Sequence, residues 1–166
     1  SNGHQHQQRL EEQHVELIRG RLWRAYLEDF ARWCRERLDA ATAAIMAEAL
    51  GAEADRRTIA ITLNGVGVLQ REQRLALYPR LGGLWELGMA ERLARADDLA
   101  AVKAVIDGHP MYSAALSGAL DALIAPEAAA GNAGSSVSVD DAMAARELDL
   151  CKAAFEHPAN YAVLWS

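Results

Sequence analysis

The sequence predicts an all-α protein, a multi-helix bundle of short helices around one long helix. Three observations predict it. Apolar residues recur at steps of three and four through the first quarter of the chain. Alanine, the best helix former, supplies much of the 51% hydrophobic content, while aromatic residues make up only 6%. Later apolar stretches are short, and Pro, Gly and Asp punctuate them where helices start and stop. At 166 residues the chain is long enough for one domain with its own core.

Residues 1–8 read as a disordered polar lead-in, and 9–166 as a single helical domain. His4 and His6 would offer a metal two ligands on a floppy tail, a poor site. From about Arg9 to Leu38 runs the strongest helix signal. Val15, Ile18, Leu22, Tyr26, Phe30 and Trp33 form one apolar stripe. Leu17, Trp23, Leu27, Cys34 and Leu38 widen it, so neighbours are expected on more than one side. The helix would be ~45 Å long, and Gly20 weakens it by about 1 kcal/mol relative to alanine.

Asp39 is placed to cap a second helix that ends near Leu50, with Gly51 as its stop. Glu53 to Val68 is ambiguous. Thr58, Ile59, Ile61 and Thr62 are β-branched and suit a strand. Ile59, Thr62, Leu63 and Val66 also fit helical spacing, and a lone strand would lack a partner. Helix is the reading, with Glu53 and Asp55 at its positive N-terminal end.

Gln70 to Leu77 makes a short helix that Pro79 stops. After the Gly82-Gly83 turn, Trp85 to Ala94 forms another. Asp97 caps a helix over 98–106, and Gly108 lies past its end. Pro110 opens a helix reaching about Ile124. Residues 126–139 read as a flexible surface loop. Asp140 then caps a last helix carrying Met143, Leu148, Cys151 and Phe155, which Pro158 breaks or kinks.

Several function classes find no support. A formal charge of −6 disfavours nucleic acid, whose phosphates need a basic face, and suits simple solubility. Cys34 and Cys151 lack a spacing motif for a disulfide framework or a zinc site. No apolar run reaches the ~18–20 residues that span a bilayer. Asp97-Asp98 suits helix capping better than metal binding. His14, His109 and His157 are scattered, Ser135 and Ser136 lack a nucleophile-elbow context, and Gly65-Val66-Gly67 lacks a third glycine. No cofactor is expected. Arg56, Arg57 and Arg95 stand beside acids, which suits intramolecular pairs; the alternative is that they face a partner, where arginine is over-represented.

The motifs, taken in order, resemble a family. Arg19-Gly20-Arg21-Leu22-Trp23-Arg24-Ala25-Tyr26-Leu27-Glu28-Asp29-Phe30 is similar to the long helix of subunit d of the eukaryotic V-type proton ATPase, which has an archaeal C-type counterpart. Glu53-Ala54-Asp55-Arg56-Arg57, Ile61-Thr62-Leu63-Asn64, Leu77-Tyr78-Pro79, Leu93-Ala94-Arg95-Ala96-Asp97-Asp98 and Val102-Lys103 follow in the family's order. A looser match runs from Glu147 to Phe155. The resemblance covers about the second half of such a subunit. Ala52, Glu86 and Pro158 depart from the family's pattern.

The resemblance implies a funnel-like helical fold, incomplete here, and a mechanical role without catalysis, cofactor or small-molecule substrate. Such subunits sit at the cytosolic face of vacuolar and other endomembranes, peripheral to the membrane sector. They link the proteolipid ring to central stalk subunits D and F, can touch the a-type subunit of the membrane sector, and transmit rotation for proton transport. Two other readings remain beside it. One is a stand-alone helical adaptor that binds partner helices. The other is a hydrolase, which needs a cleft gathering Glu53, Asp55 and a histidine.

Overall fold

The computed structural model describes residues 2–125, 138, 139 and 141–145, with side chains from His14 onward. Seven named helices follow in order: α1 (Asn2–Arg37), α2 (Ala40–Gly65), α3 (Arg71–Leu77), α4 (Gly83–Glu86), α5 (Met89–Arg95), α6 (Leu99–Asp107) and α7 (Pro110–Ile124). A further helical piece covers 141–145. No strand occurs among the described residues, so the all-α expectation holds. The 53–68 segment is helix to Gly65.

Helix α1 begins at Asn2, not near Arg9, so the lead-in expected to be disordered continues the helix. Its glutamines are fair helix formers and no proline interrupts them. Arg35 and Arg37 complement the helix dipole in the last turn. Asp39 then caps α2, accepting from the backbone N–H of Ala41 and Thr42 at 3.1 Å each. With so short a connection, α2 folds back along α1.

Gly51 does not end α2. The helix runs through it for 26 residues, which places Glu53 and Asp55 in mid-helix, away from the dipole's positive end. At Gly51 a second backbone passes at contact distance, and the glycine that this approach requires is Gly82. A Cβ on Gly51 would lie 3.4 Å from the Cα of Gly82, and one on Gly82 would meet both the Gly51 carbonyl and Asp55. The stop signal in the sequence marks a close approach of backbones.

Three boundaries shift for identifiable reasons. The single helix expected over 85–94 is divided, because Gly88 takes a left-handed conformation (φ 67°) between α4 and α5. Asp98, not Asp97, caps α6, accepting from Ala101 N–H at 2.7 Å. Near the end Ser138 and Asp141 make a reciprocal cap: the Asp141 N–H donates to Ser138 Oγ at 3.1 Å and the Ser138 N–H to Asp141 Oδ2 at 3.4 Å. Asp140, the expected cap, lies outside the described residues. So do residues 126–137 of the expected loop and the stretch carrying Leu148, Cys151, Phe155 and Pro158. Pro110 opens α7 as expected.

Of the two long helices, α2 is the one on which the others gather, touching α1, α3, α4, α5 and α6. The core lies between α2 and the α4–α7 layer, around Ile59, Leu84, Leu93, Ile106, Tyr112 and Leu116. Helix α1 packs on α2 and α3 from one side only. Leu27 and Cys34 are buried there, whereas Val15, Ile18, Leu22, Tyr26 and Trp33 of the apolar stripe are 47–66% exposed. The expectation of neighbours on more than one side of α1 is therefore not met among the described residues.

Candidate functional site

The Glu53–Arg57 motif presents two different chemistries on successive faces of α2. Asp55 points inward and is 2% exposed. Its carboxylate accepts from the backbone N–H of Leu84 at 2.9 Å and of Gly83 at 3.3 Å, and from the Tyr112 hydroxyl at 2.6 Å. Gly83 and Leu84 begin α4, whose own N-cap, Gly82, has no side chain to offer. Asp55 thus caps α4 from a different helix and ties both to α7. A Cβ on Gly83 would run into the Tyr112 hydroxyl, so the glycine pair is required for this approach.

Glu53, two residues earlier, points to the rim. Arg56 grips it with two parallel bonds, Nε to Oε2 at 2.8 Å and Nη2 to Oε1 at 2.9 Å. Arg57 reaches the same carboxylate at 3.4 Å and lays its guanidinium 4.7 Å above the Trp23 ring of α1. Both arginines remain about a third exposed. Arg95, on α5, makes a longer pair with Glu91 at 3.6 Å, and its side chain is 57% exposed. The structure therefore brings Arg56 and Arg57 together on Glu53 and gives Arg95 a separate partner.

Other polar ties were not legible from motifs. Arg74 is 3% exposed and donates to the carbonyls of Ala96 at 2.8 Å and Leu93 at 3.4 Å, closing the C-terminus of α5. Thr62 donates to the Thr58 carbonyl at 2.6 Å, so at 2.7 Å the Tyr78 hydroxyl must be the donor to Thr62. Burial pushes the Tyr78 phenol above its usual pKa. Arg24 of α1 pairs with Glu28 and donates to the Ala76 carbonyl, while Glu28 accepts from Arg80 N–H at 2.8 Å. Lys103 joins α6 to α7 by donating to Ser117 at 2.7 Å, and pairs with Asp107 on its own helix. Its hydrogen bond to Asp107 holds its pKa high and that carboxylate's low.

A signal for the inward carboxylate does exist in the sequence. Ala52, Asp55, Ile59 and Thr62 share one helical face, and three of the four are compatible with burial without charge. An acid on that face has to find donors.

Two surface hollows flank the exposed row of α2. One, about 500 Å³, lies between α2, α7 and the start of the last helical piece, beside Arg56, Leu63, Leu123 and Met143. The other, about 370 Å³, lies between α1 and α2, beside Arg19, Trp23, Arg57 and Asn64. Neither is lined by Glu53, Asp55 or a histidine. The cleft that the hydrolase reading needs is not assembled by the described residues: Glu53 is held by arginines and Asp55 by backbone amides and a phenol. Among the described residues no three His, Cys, Asp or Glu side chains are grouped to hold a metal ion.

The sequence matches the family described as ATP synthase (C/AC39) subunit over residues 5–166. It is 36% identical to V-type proton ATPase subunit d1 of Arabidopsis thaliana over 158 residues, covering 95% of this chain and 41% of that protein. It is 35% identical to V-type proton ATPase subunit d of Neurospora crassa, covering 96% of this chain and 45% of that protein. With the probable V-type proton ATPase subunit d of Oryza sativa it shares 42% identity over 106 residues, covering 63% of this chain and 30% of that protein. The chain spans less than half the length of these relatives. On the strength of the family match, the chain belongs to the ATP synthase (C/AC39) subunit family.

Proposed function

We propose that the chain serves a V-type proton ATPase as a subunit d-like, non-catalytic structural part. It links the central stalk to the proteolipid ring and transmits rotation for proton transport. The observation that carries this reading is the likeness to proteins named V-type proton ATPase subunit d over 95% of the chain. The partners are the ring and stalk subunits D and F, with the a-type subunit of the membrane sector as a further neighbour. The place is the cytosolic face of vacuolar or related membranes, peripheral to the membrane sector. No described helix is long and apolar enough to cross a membrane.

Stiffness is what such a role asks of the molecule, and the buried ties support it. A carboxylate, a guanidinium and a phenol join α2, α3, α4, α5 and α7 in places where water cannot substitute for a lost partner. In this reading Arg56, Arg57 and Arg95 present the partner-facing charges, each steadied by an acid on its own helix.

A helix-binding adaptor outside the pump is the second reading, and the exposed apolar stripe of α1 favours it. Affinity purification of the tagged chain from cells that contain the pump separates the two. Ring and stalk subunits D and F come with it under the first reading. A folded chain recovered without them overturns that reading.

A further inference from the structure

We infer that α1 is a lever that tips on the turn after α3, and that Gly51 is the joint at which α2 bends to follow it. Helix α1 touches α2 and α3 only, among the described elements. Its side-chain hydrogen bonds to the body are Arg24 to the Ala76 carbonyl and Glu28 to the Arg80 N–H. Beyond Glu28, Arg32 pairs with Asp29 on α1 itself. On α2 no residue from 40 to 51 is buried, whereas seven from Ala52 to Gly65 are. The outer halves of the two helices thus form an arm that leans on itself and not on the core.

One turn serves both helices as a rest. Arg80 meets Glu28 of α1, and Gly82 passes Gly51 of α2 at contact distance. Glu28 lies nine residues before the end of α1 and Gly51 eleven after the start of α2. In the antiparallel pair they therefore stand within about one turn of each other. The contact with Gly82 does not call for a glycine at 51, because a Cβ there would lie 3.4 Å away, an ordinary contact. The residue nonetheless costs α2 about 1 kcal/mol relative to alanine. It sits where the buried half of α2 begins, the place at which a helix anchored at one end has to yield.

The contacts of α1 let it tip. Gly20 has no side chain to interlock with Leu77, and Arg24 and Glu28 hold the turn through long side chains that swivel. On the other side of the rest, the hollow of about 370 Å³ beside Glu16, Arg19 and Asn64 separates α1 from α2. It gives the inner half of α1 room to close while the outer half swings out. A tilt of about 15° carries the tip, about 16 Å beyond Gly51, through about 4 Å. The two outer halves move as a pair, since Asp39 caps α2 at the connection and Cys34 is 2% exposed within the arm. None of this depends on the pump reading.

The test uses the full chain carrying Cys151→Ser, with nitroxides attached through p-acetylphenylalanine so that Cys34 stays native. Double electron–electron resonance reads the arm from labels at Ala41 and Glu72, and the body from labels at Glu72 and Glu86, all exposed positions. The arm distances spread at least twofold wider than the body distances. Gly51→Ala, which adds helix propensity where a Cβ has room, narrows the arm spread at least twofold. So does bridging Glu16→Cys to Asn64→Cys across the hollow with a short bis-maleimide while Gly51 is kept. Cys34 stays closed to a thiol reagent throughout. An arm spread no wider than that of the body overturns the inference, as does a spread that survives either change. A Cys34 that reacts as fast as in the urea-unfolded chain would mean that the arm frays instead of bending, and overturns it equally.

Discussion

Glu53 and Asp55 sit two residues apart on α2 with the same charge, yet they do different work. Asp55 is 2% exposed and holds two backbone amides and a phenol from elements 28 to 57 residues away. The Glu53 side chain is 19% exposed and holds two arginines three and four residues along its own helix. The comparison teaches that the worth of a charge here is set by what replaces its partner when the partner is lost. Around Asp55 nothing replaces it, and around Glu53 water does.

The largest effect tests the buried side. Asp55→Ala takes the carboxylate away from two amides and a hydroxyl, one of the amides only part-buried, a loss of at least about 3 kcal/mol at 1–3 kcal/mol per group. The urea midpoint reads it directly. Asp55→Asn keeps one acceptor oxygen and loses less. A cost below about 1 kcal/mol for the alanine variant, within the range of an exposed pair, would erase the distinction. Next comes Arg74→Met, which leaves the Leu93 and Ala96 carbonyls without their buried donor. The expected loss is about 2–3 kcal/mol, with α5 opening first in amide hydrogen exchange.

How much of this was legible follows the same division. Local physics was readable: Asp39 as a cap, Pro110 at a helix start, and the 53–65 segment as helix despite its β-branched residues. Gly51 misled, because a glycine that ends a helix and one inside a helix where another backbone passes look alike in one sequence. The α1 stripe was found, but periodicity gives the line of apolar residues and not what faces it. Asp55 and Arg74 were missed as clamps because their partners are main-chain groups, which every residue possesses and no motif records. Among the candidate arginines, adjacency to acids correctly foretold intramolecular pairs. It was silent on a second partner.

Tyr78 offers a milder version of the buried case, read through pH. Burial raises its folded-state pKa above the ordinary value of 10.0. The unfolded chain therefore releases the phenolic proton at lower pH than the folded one. The stability linked to it is complete below about pH 10 and is lost as pH rises through the folded value. Tyr78→Phe should cost about 1 kcal/mol at neutral pH and flatten the alkaline fall in melting temperature. An unchanged alkaline slope would mean that another group controls it.

The smallest expected effects lie on the exposed side. Arg56→Ala removes a two-pronged bond, but Arg57 still reaches Glu53 and water reaches the rest, so about 0–1 kcal/mol is expected. Arg95→Ala removes a single 3.6 Å contact between side chains 57% and 62% exposed, and should shift the urea midpoint by less than about 0.5 kcal/mol. That smallness gives these variants their use. If Arg56, Arg57 and Arg95 face partners, replacing them weakens recovery of stalk or ring subunits while helicity and melting temperature hold. Unchanged recovery with a lowered melting temperature assigns them to the fold instead. A guanidinium that matters to the complex and not to the isolated chain is then separated from Asp55, whose loss acts before any partner arrives.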